Sequence, residues 1–117
     1  MATNAEHGDH VVIAEILVEG SGAKDEYVEL YNPTASDVNL EGWKLIKATA
    51  SGNEINLVGT FPNIIIPAHG SLLVCAPEAA TCGNRVDVTY TTSNSLAINN
   101  SVILKNADGA VIDRVGW

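Results

Sequence analysis

The segment Glu26-Tyr27-Val28-Glu29-Leu30-Tyr31-Asn32-Pro33 (EYVELYNP) decides the fold class of this chain. Within it the apolar residues Val28 and Leu30 alternate with polar or aromatic ones, which is the period of a β-strand with one buried face. The pair Asn32-Pro33 then forms a turn that a helix could not cross. The outward-facing set of this strand is Tyr27, Glu29 and Tyr31.

The pattern of the segment that precedes this strand predicts a strand with two apolar faces. Val11 to Val18 carries one charge, Glu15, and contains no proline. Such a strand is costly to leave uncovered at the edge of a sheet. We therefore expect it to lie in the interior of a sheet, or to be completed by another chain.

The alternation continues beyond the Asn32-Pro33 turn. It resumes at Val38 and Leu40 and returns from Trp43 to Lys47, where Trp43 and Leu45 share a face. This is the pattern of a short β-meander, with Trp43 as a core aromatic residue.

Six more apolar segments follow, with centres about ten residues apart and turn-forming residues between them, which is the spacing of an all-β sandwich or barrel. The pair Asp108-Gly109 predicts a hairpin between the last two strands. The one helical turn that we expect is at Pro77 to Thr81. The six segments are Ile55 to Val58, Ile64 to Ile66, Ser71 to Cys75, Val86 to Tyr90, Val102 to Lys105 and Ala110 to Val115.

Composition predicts one acidic, globular domain. The length of 117 residues leaves no room for a second core, and we expect a flexible tail at 1–10 followed by a domain at 11–117. A net charge of −8 disfavours binding to nucleic acid or to an anionic membrane. No apolar run approaches the 18 residues of a membrane span, so we expect no membrane insertion.

Two cysteines and the first ten residues bear on the compartment. Cys75 and Cys82 bracket six residues, a spacing compatible with a local disulfide and too few thiols for a structural zinc site. The first ten residues lack the basic start and apolar centre of a signal peptide. The chain is therefore either cytosolic or an exported domain whose signal has been removed.

Several motifs together resemble the lamin tail domain family. The resemblance implies an immunoglobulin-like β-sandwich, a fold that the strand spacing predicts independently. The bacterial members of this family look like accessory modules of exported or surface proteins. The resemblance therefore implies an extracellular or cell-surface location. The motifs are VIAEI from Val12, DEYVELYNP from Asp25, VNLEGWKL from Val38, IPAHG from Ile66, VILK from Val102, and Asp108-Gly109 with VIDRV from Val111.

Three acidic residues in strands are candidate metal ligands. Glu15 and Glu29 lie in apolar strands, and Asp113 lies in the last strand. If the first two strands pair, the two glutamates approach each other and repel unless a cation, a base or a proton intervenes. A Ca²⁺ site is one interpretation. The other is that lysine or arginine side chains pair with these acids, or that the face is hydrated.

Two tyrosines are candidate binding residues. Tyr27 and Tyr31, with Trp43, are able to form an aromatic platform for a glycan. Trp43, however, stands where a sandwich of this type needs a core aromatic residue, so core packing is the favoured interpretation for it.

The sequence predicts a binding module and no enzyme. The three histidines are not accompanied by any nucleophile motif. We expect a non-catalytic, immunoglobulin-like interaction or adhesion module that binds a protein partner through strand edges and loops. The alternatives are a self-assembling surface protein and a calcium-dependent or glycan-binding module. Apart from a possible Ca²⁺ ion we expect no cofactor.

Overall fold

The computed structural model describes residues 10–18, 26–76, 87–91, 96 and 100–116. These residues form no helix, which confirms the all-β prediction. The predicted tail at 1–10 and the helical turn at Pro77 to Thr81 lie outside them, apart from His10. The strands are β1 (Val12–Leu17), β2 (Tyr27–Tyr31), β3 (Val38–Asn39), β4 (Lys44–Ala48), β5 (Glu54–Val58), β6 (Ile65–Ile66), β7 (Ser71–Cys75), β8 (Val88–Thr89), β9 (Ser101–Lys105) and β10 (Val111–Gly116).

The strands form two four-stranded sheets and a small ribbon. The first sheet has the order β1-β2-β7-β8, the second has the order β10-β9-β4-β5, and β3 pairs with β6. All pairs are antiparallel except β7 with β8. The hairpin predicted at Asp108-Gly109 joins β9 to β10. No helix in this part of the chain is long and apolar enough to cross a membrane.

The main core lies between the two sheets. Val28 and Leu30 of β2 are fully buried in it, as the alternation predicts, and Leu45 of β4 and Leu104 of β9 face them from the second sheet. Trp43 is partly buried and packs against this core. The chain therefore buries the residues that the strand period marks as inward-facing.

The interior position predicted for the first strand is wrong, because β1 lies at an edge of its sheet. The other expectation, completion by another chain, stays a prediction. The backbone NH of Ile13 donates to Oδ2 of Asp113 at 2.7 Å, and Asp113 belongs to β10 of the other sheet. Both strands contain a register shift here, between Ile13 and Glu15 in β1 and between Val111 and Asp113 in β10. A carboxylate and two bulges thus protect an edge that the sequence leaves apolar.

The opposite side of the sandwich is also linked by hydrogen bonds. Thr91, just after β8, donates its backbone NH to the Leu57 carbonyl at 2.8 Å, and its Oγ1 accepts from the Gly59 NH at 2.9 Å. Leu57 belongs to β5, so this threonine joins the edges of the two sheets. Parts of both edges are therefore already occupied within the chain.

Candidate functional site

The outer face of the first sheet carries most of the predicted site residues. Tyr27, Glu29 and Tyr31 alternate with the core residues of β2, so their side chains point away from the core, and each is half-buried. Glu15 of β1 joins them on the same side, because it is the cross-strand partner of Glu29. We call these four residues the acidic face.

A bulge in β1 creates this pairing. Ile13 is the partner of Leu30, and an unbroken ladder would place Ala14 opposite Glu29. The register shift between Ile13 and Glu15 moves Glu15 into that position instead. Two carboxylates therefore lie directly opposite each other, an arrangement that destabilises an antiparallel pair of strands unless something neutralises it.

Among the described residues, Glu15 has a hydrogen-bond donor and neither glutamate has a basic partner. The Tyr27 hydroxyl donates to Oε1 of Glu15 at 2.6 Å. Within the described ranges, no lysine or arginine forms an ion pair with Glu15 or Glu29. The expectation that basic residues of the chain pair with these two acids is therefore not met there.

The Tyr27 hydroxyl is expected to titrate far above its normal range. Its hydrogen bond to Glu15, partial burial and the charges of Glu15 and Glu29 raise the pKa of Tyr27 from 10.0 to about 12. Because the folded protein holds this proton more tightly than the unfolded chain does, stability should fall as pH rises from about 10 to about 12. Glu15→Gln should bring the phenolate absorbance transition back toward pH 10, whereas an unchanged transition would contradict the assigned contact.

Asp113, the third predicted metal ligand, is engaged elsewhere. It is buried in β10, where Oδ2 accepts the Ile13 NH and Oδ1 accepts the Arg114 NH at 2.9 Å. In the part of the chain that is described, no group of three or more His, Cys, Asp or Glu side chains is arranged to hold a metal ion. The structure brings Glu15 and Glu29 together, and it uses Asp113 to join two strands.

Cys75 is disulfide-bonded and fully buried at the end of β7. The sequence contains one other cysteine, Cys82, which lies outside the described residues. Reduction should remove roughly 2.5 kcal/mol, the loop-closure contribution of an eight-residue loop. Intact-mass and melting measurements with and without reductant test the Cys75–Cys82 pairing, and two free thiols with an unchanged melting temperature would contradict it.

Asn32 is fully buried, although the sequence predicts only a turn at this position. Its side-chain amide donates to the carbonyls of Ser36, Ile66 and Pro67 at 2.8, 3.0 and 3.2 Å. Its Oδ1 accepts the backbone NH of Thr34 at 3.0 Å and the Thr34 hydroxyl at 2.7 Å. Asn32 therefore ties the loop after β2 to the turn between β6 and β7.

The structure also buries Glu26 completely, immediately before β2. Its two carboxylate oxygens accept the backbone NH of Leu96 at 2.8 and 3.0 Å. The Tyr90 hydroxyl approaches this carboxylate without reaching hydrogen-bond geometry, and burial followed by the charge of Glu26 raises the pKa of Tyr90. The strand period does separate Glu26 from Glu29, because Glu26 has the parity of the buried Val28 and Leu30, whereas Glu29 has that of Tyr27 and Tyr31.

The Tyr90 hydroxyl should not stabilise the fold. It is buried, and no hydrogen-bond partner for it lies in the described part of the chain. Removing an unsatisfied buried polar group is neutral or stabilising, so Tyr90→Phe should raise the free energy of unfolding by up to about 1 kcal/mol. Urea unfolding measures this, and a clear loss of stability would show that the hydroxyl bonds to Glu26 in solution.

Comparison with known proteins agrees with this architecture. A family model described as Lamin Tail Domain matches residues 4–117. No curated protein matches the chain at a significant level. The matched family has an immunoglobulin-like fold, which agrees with the sandwich of two mainly antiparallel sheets. The chain belongs to the lamin tail domain family.

Proposed function

We propose that this domain is a non-catalytic interaction or adhesion module that binds a protein partner through the acidic face. The observation that carries the proposal is the opposed pair Glu15 and Glu29, which has no cation in the described contacts and lies between two half-buried tyrosines. Tyrosine is enriched at protein interfaces, and a charge without a counterion in its own chain can be complemented by an opposite charge of a partner. Because parts of both sheet edges are already occupied within the chain, the acidic face is a better candidate for the binding surface than the edges are.

The proposed location is outside the cytosol, at the cell surface or beyond it. Disulfides persist in oxidising compartments and are rare in the cytosol of most organisms, and Cys75 is disulfide-bonded. The disulfide thus supports the location, and the acidic face separately supports the binding role.

A Ca²⁺-dependent role is the weaker alternative. Calcium takes six to eight oxygen ligands. The described pair offers at most the four oxygens of two carboxylates, and one of these already accepts the Tyr27 hydroxyl. Binding of Ca²⁺ would need ligands beyond the acidic face, so we place protein binding first.

Site-specific photo-crosslinking tests the proposal. A photoreactive phenylalanine analogue at Tyr31 should form a protein adduct in the cells that make this domain, and Glu29→Lys should abolish it. The same analogue at Asn53, an exposed residue in the turn between β4 and β5, is the matched control and should form no such adduct. Identical adducts from both positions, or none from Tyr31, would reject the acidic face as a binding surface.

A further inference from the structure

The second sheet carries a positively charged counterpart of the acidic face. All four lysines and arginines of the described residues lie in β4, β9 and β10. Lys44 and Lys105 are direct cross-strand partners. Both alternate with core residues, so they point outward, on the side of the sandwich opposite to the acidic face. We call Lys44 and Lys105, with Arg114 of β10 on the same side, the basic face.

The two faces are opposite in charge, and their charged residues are arranged in the same way on neighbouring strands. Each contains one pair of like charges on neighbouring antiparallel strands, where paired Cα atoms are about 5 Å apart. Each pair is unfavourable by itself. Lys105 lies 3.5 Å from Glu54, a half-exposed contact that offsets little of the positive charge. Placing one pair over the other would neutralise both.

We propose that the acidic face of one copy of this domain docks on the basic face of a second copy. This inference rests on the proposed function and names the partner. Because the two faces lie on opposite sides of the sandwich, the contact is head-to-tail, and repeated contacts give open chains and not a closed dimer. Glu15 and Glu29 of one copy would then lie against Lys44 and Lys105 of the next.

The size of the faces predicts weak association. The four strands of the second sheet, about 4.8 Å apart and five or six residues long, cover roughly 350 Å², and the first sheet covers less because β8 has two residues. This is about half of the ~800 Å² per partner in a stable interface. A net charge of −8 on each copy adds repulsion between copies. We therefore expect association only at high protein concentration or where anchoring holds copies side by side.

Charge-swap variants provide the test. At about 10 mM ionic strength, where the Debye length is about 30 Å, the weight-average mass of the wild-type chain should rise above 12.3 kDa as concentration increases. It should return to the monomer value in about 0.5 M salt. The double variants Glu15→Lys/Glu29→Lys and Lys44→Glu/Lys105→Glu should each stay monomeric alone, and an equimolar mixture of the two should associate.

A matched control separates the docking contact from net charge. Glu41→Lys/Asp108→Lys changes two exposed acids and gives the same net charge, −8 + 4 = −4, as the acidic-face swap. This control should associate at least as well as the wild type. If a swap variant fails to fold, Glu15→Gln/Glu29→Gln should remove association without reversing charge.

Three outcomes would overturn the inference: a wild-type monomer at every concentration in low salt, swap variants that associate alone, or a mixture that does not associate. The photo-crosslinking experiment keeps the two proposals distinguishable. An adduct from Tyr31 to a different protein would leave the interaction function standing and would reject the second copy as the partner.

Discussion

Asn32→Ala should lower the free energy of unfolding by about 4 kcal/mol. The side chain of Asn32 is fully buried and forms hydrogen bonds to three carbonyls and to Thr34. Each buried backbone group left without a partner costs about 1–3 kcal/mol, although water entering the cavity would restore some of these bonds. Single domains are stable by about 5–15 kcal/mol, so this loss is about a quarter to four fifths of the total.

One further variant separates the hydrogen bonds of Asn32 from its bulk, and a second, at Asn63, is the control. Asn32→Asp keeps the shape but turns a carboxylate oxygen toward the three carbonyls, so this variant should be unstable at neutral pH. Its stability should improve as pH falls, because the protonated carboxyl donates a hydrogen bond and the folded state then binds the proton more tightly. Asn63→Ala, at an exposed asparagine, should change stability by less than about 0.5 kcal/mol. Equal effects at Asn32 and Asn63 would contradict the role of Asn32.

The period and spacing of the strands in the sequence were sufficient to predict an all-β sandwich or barrel and the inward face of β2. Val28 and Leu30 are buried because alternation is a direct consequence of pleated geometry, and the Asp108-Gly109 turn follows from backbone preference. Both properties are local. A residue and its near neighbours determine them, so one sequence carries the information.

The edge position of β1 depended on distant residues and could not be predicted in this way. The bulge between Ile13 and Glu15 breaks the alternation, and the acid that caps the Ile13 NH is 100 residues away in the chain. The sequence does not reveal the contact between Asp113 and the Ile13 NH. Without that contact, an apolar strand is typical of a sheet interior, so the sequence predicted an interior position for β1. The same bulge sets the Glu15–Glu29 pair, so the acidic face also depends on a feature that periodicity does not reveal.

A comparison of Glu26 with Glu29 tests whether the contribution of a glutamate to stability depends on its position in the fold. They are three residues apart in one motif, yet Glu26 is fully buried and Glu29 lies half-buried on an outer face. Truncating Glu26 removes the acceptor of the Leu96 NH and leaves a cavity beside Tyr90. Glu26→Ala should therefore lower the free energy of unfolding by about 4 kcal/mol, and Glu26→Gln, which keeps one acceptor oxygen, by about 1–2 kcal/mol.

Glu29→Ala removes the same atoms from the outer face of β2 and is the matched control for Glu26. The loss of its partly packed side chain is offset by relief of its repulsion with Glu15, so the net change should be below about 1 kcal/mol. Urea unfolding followed by tryptophan fluorescence compares the variants, and equal slopes against denaturant would show that the unfolded states are alike. Similar losses at both positions would mean that the Leu96 contact does not hold in solution. A large loss at Glu26 alone would establish a buried carboxylate as the anchor of residue 96.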